Sequence, residues 1–544
     1  VMGLAEGIFP PKASTSGILS DSERRRLIEI GLELSPPVSE QAAEERFFAY
    51  KAMTSASDGV YLTYPRGDAS GRALRPSYFV PAVRRLFPHC DVIDDALSDP
   101  VDTIATEQTA FDLLAANYSA KSPLTFALKE IFKDRDGYKE RYEALERAAS
   151  GRRLEFSNPK TARALYGDTM RVSPSRIEAF NQCRFLYFCR YGIRAMPRKR
   201  AELDAPEIGT VIHFVLERLL SKVKDRGLSS VPEDELKTMT HELLLEFAKV
   251  YLGGLDDKPE RFRYLFTNLE DTVLCLVTHM AEEFAQSSFV PTDFELLIAP
   301  NGDVKPYEIK LPDGGRLLVG GKVDRVDIMK RGSKTYLRVV DYKTGTKNFN
   351  LSDLLYGLNL QMFMYLFTLC ENSGERYGED IIPAGVLYVP AKRPEITADR
   401  GEAEEDIEKQ AEKQLRMNGI VLNDPDIILG MERDGKSRFI PAELRSAVEE
   451  DGTVRYTVSG RSSVATLEQF GILKRHTERI LRSMAMTLHA GDAAAVPVNG
   501  LGYDPCQYCD YRSVCGFEPG NKVRNIYSVD KKEVFEKMEG GEGD

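Results

Sequence analysis

The stretch GGKVDRVDIMKRGSKTYLRVVDYKTG, residues 320–345, constrains the fold of this chain more than any other. Two segments of alternating apolar residues flank Gly332 and Ser333, which is the pattern of a β-hairpin. A turn centred between those two residues sets Asp324 opposite Asp341, and Asp327 opposite Arg338. Opposed side chains of an antiparallel pair stand about 5 Å apart at Cβ. Asp324 and Asp341 therefore repel unless a cation lies between them, and a hard divalent ion with oxygen ligands at about 2.1 Å meets that need. Lys343 lies two positions beyond Asp341 and projects from the same face. Asp327 and Arg338 share the opposite face and read as a surface ion pair, worth about 0.2–1 kcal/mol. The same charges also suit a solvated sheet edge, so both readings stand at this level.

The remaining composition bounds the class. The chain has 544 residues and no apolar run approaching the roughly 18 residues of a membrane span, so two or three soluble cores are expected. The opening VMGLAEGIFPPKAS lacks the basic and apolar regions of a secretory signal, which makes a cytoplasmic setting the expectation. Val1 in place of an initiator methionine suggests a fragment. A net charge of −11 argues against a surface coated in positive charge, while leaving room for a local basic channel.

Along the chain, SDSERRRLIEIGLEL and EERFFAYKAMTSA read as helices and GVYLTYP as a strand. Residues 102–150 read as charged amphipathic helices. Three long helical patterns fill 207–286, a strand-rich block runs from 293 to 343, a helix spans 353–373, and AGVLYVP reads as a strand. Helices, then strands, then alternating elements indicate an α/β or α+β core with helical insertions.

Two short motifs carry chemistry of their own. CQYCDYRSVC clusters Cys506, Cys509 and Cys515 in a chain of only eight cysteines. In a reducing compartment such clusters are metal ligands more often than disulfides, and a tetrahedral thiolate site wants a fourth ligand. GMERDGKS, residues 430–437, matches the P-loop expression, but its loop holds Met431, Glu432, Arg433 and Asp434, and Pro441 follows closely. No long helix can start there, so nucleotide binding is not expected.

An aspartate followed at a distance by D-Y-K-T-G resembles the RecB-type PD-(D/E)xK nucleases. That resemblance implies an α/β nuclease domain with helical insertions. It also implies a site in which Asp324, Asp341, Glu295 and His213 hold Mg²⁺, Lys343 is catalytic, and Gln361 and Tyr365, one helical turn apart, steady the DNA. A subset of the family has one cysteine before the nuclease core and C-xx-C-xxxxx-C after it, together holding a [4Fe-4S] cluster. By that likeness the ligands here are Cys183, Cys506, Cys509 and Cys515, although Arg184 stands where the family usually has proline. Cys189 is the rival first ligand, zinc the alternative metal, and Cys90, Cys275 and Cys370 are expected to be isolated buried residues.

The first third, with GLAEGIFP and Thr54-Ser55-Ala56 where a motor would carry an arginine finger, resembles AddB-type subunits of bacterial helicase-nucleases. The resemblance implies an inactive superfamily-one helicase-derived α/β remnant over 1–100, a helical connector over 101–170, the nuclease domain with its iron-sulfur staple over 171–530, and a charged tail over 531–544. It further implies a DNA exonuclease acting in double-strand break repair by recombination on single-stranded ends and unwound strands, paired in a heterodimer with an AddA-type motor subunit. Stand-alone nucleases of the Cas-four and Dna-two types, or a non-catalytic DNA-binding scaffold, are the alternatives.

Overall fold

The computed structural model describes residues 1–11, 19–68, 72–94, 99–149, 154–196, 205–345, 349–396, 403–450, 453–518 and 521–541. The chain divides into two compact units, Val1–Gly151 and Arg152–Asp544.

In the first unit, α1 (Asp21–Glu29) starts with a capping box between Ser20 and Glu23, and α2 (Val38–Thr54) follows. The segment GVYLTYP, expected as a strand, joins no sheet. It lies extended and exchanges single bonds with the first residues, Thr63 N–H to the Val1 carbonyl and Leu4 N–H to the Thr63 carbonyl, so its alternation has no longer partner to pair with. After α3 (Phe79–Leu86), helices α4 (Glu107–Ala116), α5 (Pro123–Lys133) and α6 (Lys139–Ala149) make their own small core around Phe111, Leu114, Phe132 and Tyr142. Cys90 is exposed rather than buried, because it follows α3 in a segment that no element covers.

The second unit is built on two sheets. Strands β2 (Val290–Ile298), β5 (Gly321–Arg331), β6 (Lys334–Lys343), β7 (Ile381–Pro390), β8 (Asn418–Leu422) and β11 (Val464–Ala465) form a mixed sheet in the order β11-β8-β7-β6-β5-β2. The small sheet places β4 (Arg316–Val319) between β1 (Thr169–Val172) and β3 (Tyr307–Lys310). A separate hairpin joins β9 (Leu444–Val448) to β10 (Val454–Val458).

Helices cover the main sheet. After α7 (Pro159–Tyr166), α8 (Pro174–Gln182) and the single turn α9 (Arg184–Tyr187) come α10 (Ala205–Val223), α11 (Glu233–Tyr251) and α12 (Glu260–Gln286). In α10 the buried positions Val211, Ile212, Val215, Leu216, Leu219 and Leu220 recur at helical spacing and bury one stripe. The expected helix at 353–373 is two helices, α13 (Leu351–Leu355) and α14 (Gln361–Asn372). Gly357 and Asn359, both at positive φ, break the helical path between them. α14 then packs against β6 and β7, the parallel pair it connects.

Beyond it lie α15 (Gly374–Tyr377), α16 (Glu404–Leu415), α17 (Pro425–Met431), α18 (Leu467–Ala490) and α19 (Arg512–Cys515). The end of the chain, expected as a charged tail, forms α20 (Lys531–Gly540). Its charges face solvent while Val534, Phe535 and Met538 are buried against the core. Among the described residues no helix is long and apolar enough to cross a membrane.

Candidate active site and cysteine centre

Strands β5 and β6 pair with Asp327 opposite Arg338 and Arg325 opposite Val340, the register expected from the turn. On the other face of that ladder the Tyr342 N–H donates to Asp324 Oδ2 at 3.2 Å. His213 comes from α10 and Glu295 from β2, and His213, Glu295 and Asp324 form a group whose ligating atoms all lie within 4.8 Å of one another. His213 Nδ1 donates to Glu295 Oε1 at 3.2 Å and stands 3.6 Å from Asp324 Oδ2. Glu295 has φ 51, a left-handed backbone that costs a non-glycine residue strain and that concentrates at functional sites.

Asp341 lies beside this trio, paired with Lys343 Nζ at 2.8 Å. Gln361 opens α14 and links the two: its Nε2 donates to Asp341 Oδ1 at 3.0 Å, and its Oε1 accepts from Lys343 Nζ at 3.5 Å. Tyr365 does not face outward. It is buried, and its phenol fills the space where a Cβ at Gly321 would stand.

The electrostatics are those of a cation site. Burial and the Asp341 charge push the Asp324 carboxyl up to about 7, against the pull of His213. Burial raises Asp341 too, opposed by Lys343. Burial disfavours a charged His213, but its bond to Glu295 and the Asp324 charge outweigh that and raise it. Glu295 falls below its ordinary value although burial opposes this, because His213 and Lys322 bond its charged form. Lys322 Nζ lies 2.5 Å from Glu295 Oε2. Lys322 is a neighbour the sequence pattern could have supplied and did not, although strand alternation places it on the face of Asp324.

On the opposite face, the Asp327–Arg338 pair is no surface pair. Asp327, Arg325 and Arg338 are fully buried and Glu283 of α12 nearly so. Arg338 Nε and Arg325 Nη2 donate to Asp327 Oδ2 at 2.8 and 2.9 Å, and Arg338 Nη2 donates to Glu283 at 2.5 Å. The rings of Phe284 and Phe289 cap the two guanidiniums. The sheet is covered on both faces, so the face expected to meet solvent meets α12.

Cys183, at the C-cap of α8, lines one recess with Cys506, Cys509 and Cys515. Cys189 is buried beside them without lining it. The backbone N–H groups of Phe185 and Leu186 donate to Cys183, and that of Phe517 donates to Cys515 Sγ at 3.4 Å. Four soft donors with backbone N–H···S bonds suit a thiolate-bound metal centre, either a [4Fe-4S] cluster or one zinc ion. Cys275 and Cys370 are half-buried elsewhere.

The P-loop look-alike has its own anion. Glu432 is fully buried, and its carboxylate accepts the backbone N–H groups of Arg438, Phe439 and Ile440 at 2.8, 3.0 and 3.2 Å. Within the loop, the N–H of Arg433 donates to Gln286 Oε1 at 2.8 Å, that of Gly435 to the Glu432 carbonyl at 3.0 Å and that of Lys436 to Asp434 Oδ1 at 3.2 Å, so donors that a phosphate would need are already engaged.

Residues 171–516 match the PD-(D/E)XK nuclease superfamily. The chain belongs to that superfamily, and the β2-β5-β6 core with its acidic cluster lies inside the match. More particular likenesses run along almost all of it. It is 30% identical over 559 residues to a subunit of the ATP-dependent helicase/deoxyribonuclease of Clostridium acetobutylicum, covering 99% of this chain and 48% of that protein. It is 31% identical over 557 residues to the protein of the same name from Caldanaerobacter subterraneus subsp. tengcongensis, covering 98% and 47%. For that of Acetivibrio thermocellus the identity is 32% over 563 residues, covering 99% and 48%. The chain spans about half the length of the curated relatives it matches.

Proposed function

We propose that this chain is the nuclease-bearing part of an AddB-type subunit: a Mg²⁺-dependent deoxyribonuclease that degrades single-stranded ends and unwound strands from the end inward. It works in a heterodimer with an AddA-type motor subunit, in double-strand break repair by recombination. The observation that carries this reading is the convergence of His213, Glu295 and Asp324 beside the Asp341–Lys343 pair on the edge of β5 and β6.

Asp324, Glu295 and His213 would hold Mg²⁺, with Asp341 closing the set. The ion, when bound, supplies a Lewis acid for the phosphodiester and a more acidic water. Lys343, half-exposed beside Asp341, carries a positive charge to where charge develops on the phosphate. Gln361 orients the Lys343–Asp341 pair through its two bonds. Tyr365, buried against Gly321, supports the strand that carries Asp324 rather than touching DNA. Cys183, Cys506, Cys509 and Cys515 would hold a [4Fe-4S] cluster, a centre that ties together the two ends of the nuclease domain. Ser55, where a motor would need an arginine, leaves ATP-driven unwinding to the partner.

The test is Mg²⁺-dependent digestion of single-stranded DNA by the wild type, Asp324→Asn and Asp341→Asn. Each variant is expected to lose at least about 100-fold in rate. Full cleavage by both variants would sink the reading.

A further inference from the structure

The loop from Tyr356 to Leu360 delivers Gln361 to the acidic cluster, and both segments that carry the thiols grip it. On one side is α8, which ends at Cys183. Its Glu178 accepts the Asn359 backbone N–H on Oε2 at 2.9 Å. Its Asn181, bonded to the Ile177 carbonyl at 3.0 Å, stands so close to Gly357 that a Cβ there would meet it at 2.7 Å. On the other side, Arg524, downstream of Cys515, donates to the carbonyls of Asn181 and Tyr356. Tyr503, just upstream of Cys506, donates to Asp353 Oδ2 at 3.0 Å, and the same oxygen accepts Asn359 Nδ2 at 2.6 Å.

Asn359 itself has φ 56. A left-handed residue persists where its surroundings over-determine it, and here they do so through Glu178 and Asp353. Gln361 follows almost at once, bonded to Asp341 and Lys343. A staple whose only task was to hold the domain together would have no need for these bonds to meet on the one loop that leads to Gln361.

We infer that Glu178 is a positioning residue for the nuclease site. Through the Asn359 N–H it sets where Gln361 stands, so that order at the cysteine centre is passed to Asp341 and Lys343. The inference rests on the nuclease reading above. A displacement of Gln361 by about 1 Å would lengthen both of its bonds at once, and shifts of that size can cost up to about 100-fold in rate.

The experiment is a double-mutant cycle on the protein with its cysteine centre filled, using Glu178→Ala, Gln361→Ala and the pair. It reads single-turnover cleavage of single-stranded DNA with Mg²⁺ and, separately, Mn²⁺ affinity by electron paramagnetic resonance. Each single variant is expected to lose about 10-fold in rate, and the pair no more than Gln361→Ala alone, because both act on one element. Mn²⁺ affinity should fall equally in the two singles, with iron and sulfide content unchanged in Glu178→Ala. Glu178→Gln, whose amide oxygen still accepts from Asn359, should recover most of both readouts.

Multiplying losses, or unchanged Mn²⁺ affinity in Glu178→Ala, would overturn the inference. Should Glu178→Ala fail to fold, Glu178→Met takes its place in the same cycle, keeping the side-chain length but offering no carboxyl oxygen to the Asn359 N–H. Asp341→Asn separates the two levels. If it leaves Mn²⁺ binding and cleavage intact, the nuclease reading falls, whereas its loss beside multiplying Glu178 and Gln361 effects removes the clasp alone.

Discussion

At the scale of single residues, the two faces of one hairpin hold opposite kinds of charge chemistry. Behind the site, Asp327, Arg325, Arg338 and Glu283 neutralise one another out of contact with water. Removing one partner strands buried charge, so Asp327→Asn should destabilise the domain by about 3–5 kcal/mol, read as a shift of the urea midpoint. A loss near that of a surface pair would contradict the burial. In front, burial and the Asp341 charge push the Asp324 carboxyl up to about 7. An acid raised in the folded state contributes stability that is complete below the ordinary carboxylate value, about 3.9, and is lost as pH rises through the folded value. The raised His213 acts with the same sign. Metal-free protein should therefore melt lower at pH 8 than at pH 6, Asp324→Asn should reduce that difference, and added Mg²⁺ should raise the melting temperature more at pH 8. A melting temperature independent of pH in metal-free wild type would refute this account. Alternation and the turn made the pairing of these residues legible in sequence. Burial of Asp327 was not legible, since it depends on Glu283 arriving from a helix remote in sequence.

At the scale of elements, local signals were read well and remote ones poorly. The hairpin register follows from two residues at its turn and from strict alternation, both local, and the helices of 205–286 follow from apolar stripes longer than any competing pattern. The break between α13 and α14 depends on what holds Asn359 in a left-handed conformation: Asp353 close by in α13, and Glu178 from the distant α8. GVYLTYP alternates like a strand but, among the described residues, pairs only with residues 1–4. The convergence of His213 and Glu295 on Asp324 was expected from family resemblance alone, because nothing local ties α10 or β2 to that spot. The GMERDGKS loop shows how a correct local pattern acquires a different purpose: its backbone donors go to Gln286, Asp434 and the Glu432 carbonyl, while its Glu432 carboxylate anchors the N–H groups of the segment that follows. Glu432→Gln halves the acceptor capacity of a fully buried group and should cost about 1–3 kcal/mol. Lys436→Ala should be silent in melts and in nucleotide binding. ATP hydrolysis by this chain that vanished in Lys436→Ala would overturn that assignment.

At the scale of the whole molecule, the cysteine centre joins the start of the nuclease domain to its end, and the main sheet lies in the sequence between them. In the metal-free state burial raises the Cys183 thiol, and it raises Cys506 and Cys189 to about 11. Filling the centre releases protons and couples binding to folding, since widely separated ligands come together only in the folded chain. Cys509→Ser should therefore lose bound iron and sulfide and lower the melting temperature of the second unit, whereas Cys370→Ser, remote from the recess, should keep the metal content unchanged. The same comparison settles the first ligand. Cys183 lines the recess and receives two backbone N–H bonds, while Cys189 sits behind it. Cys183→Ser is expected to bleach the protein and Cys189→Ser to leave its visible absorption in place. Bleaching by Cys189→Ser alone would reverse the assignment, and one zinc per chain in colourless, anaerobically purified wild type would replace the cluster by a single ion.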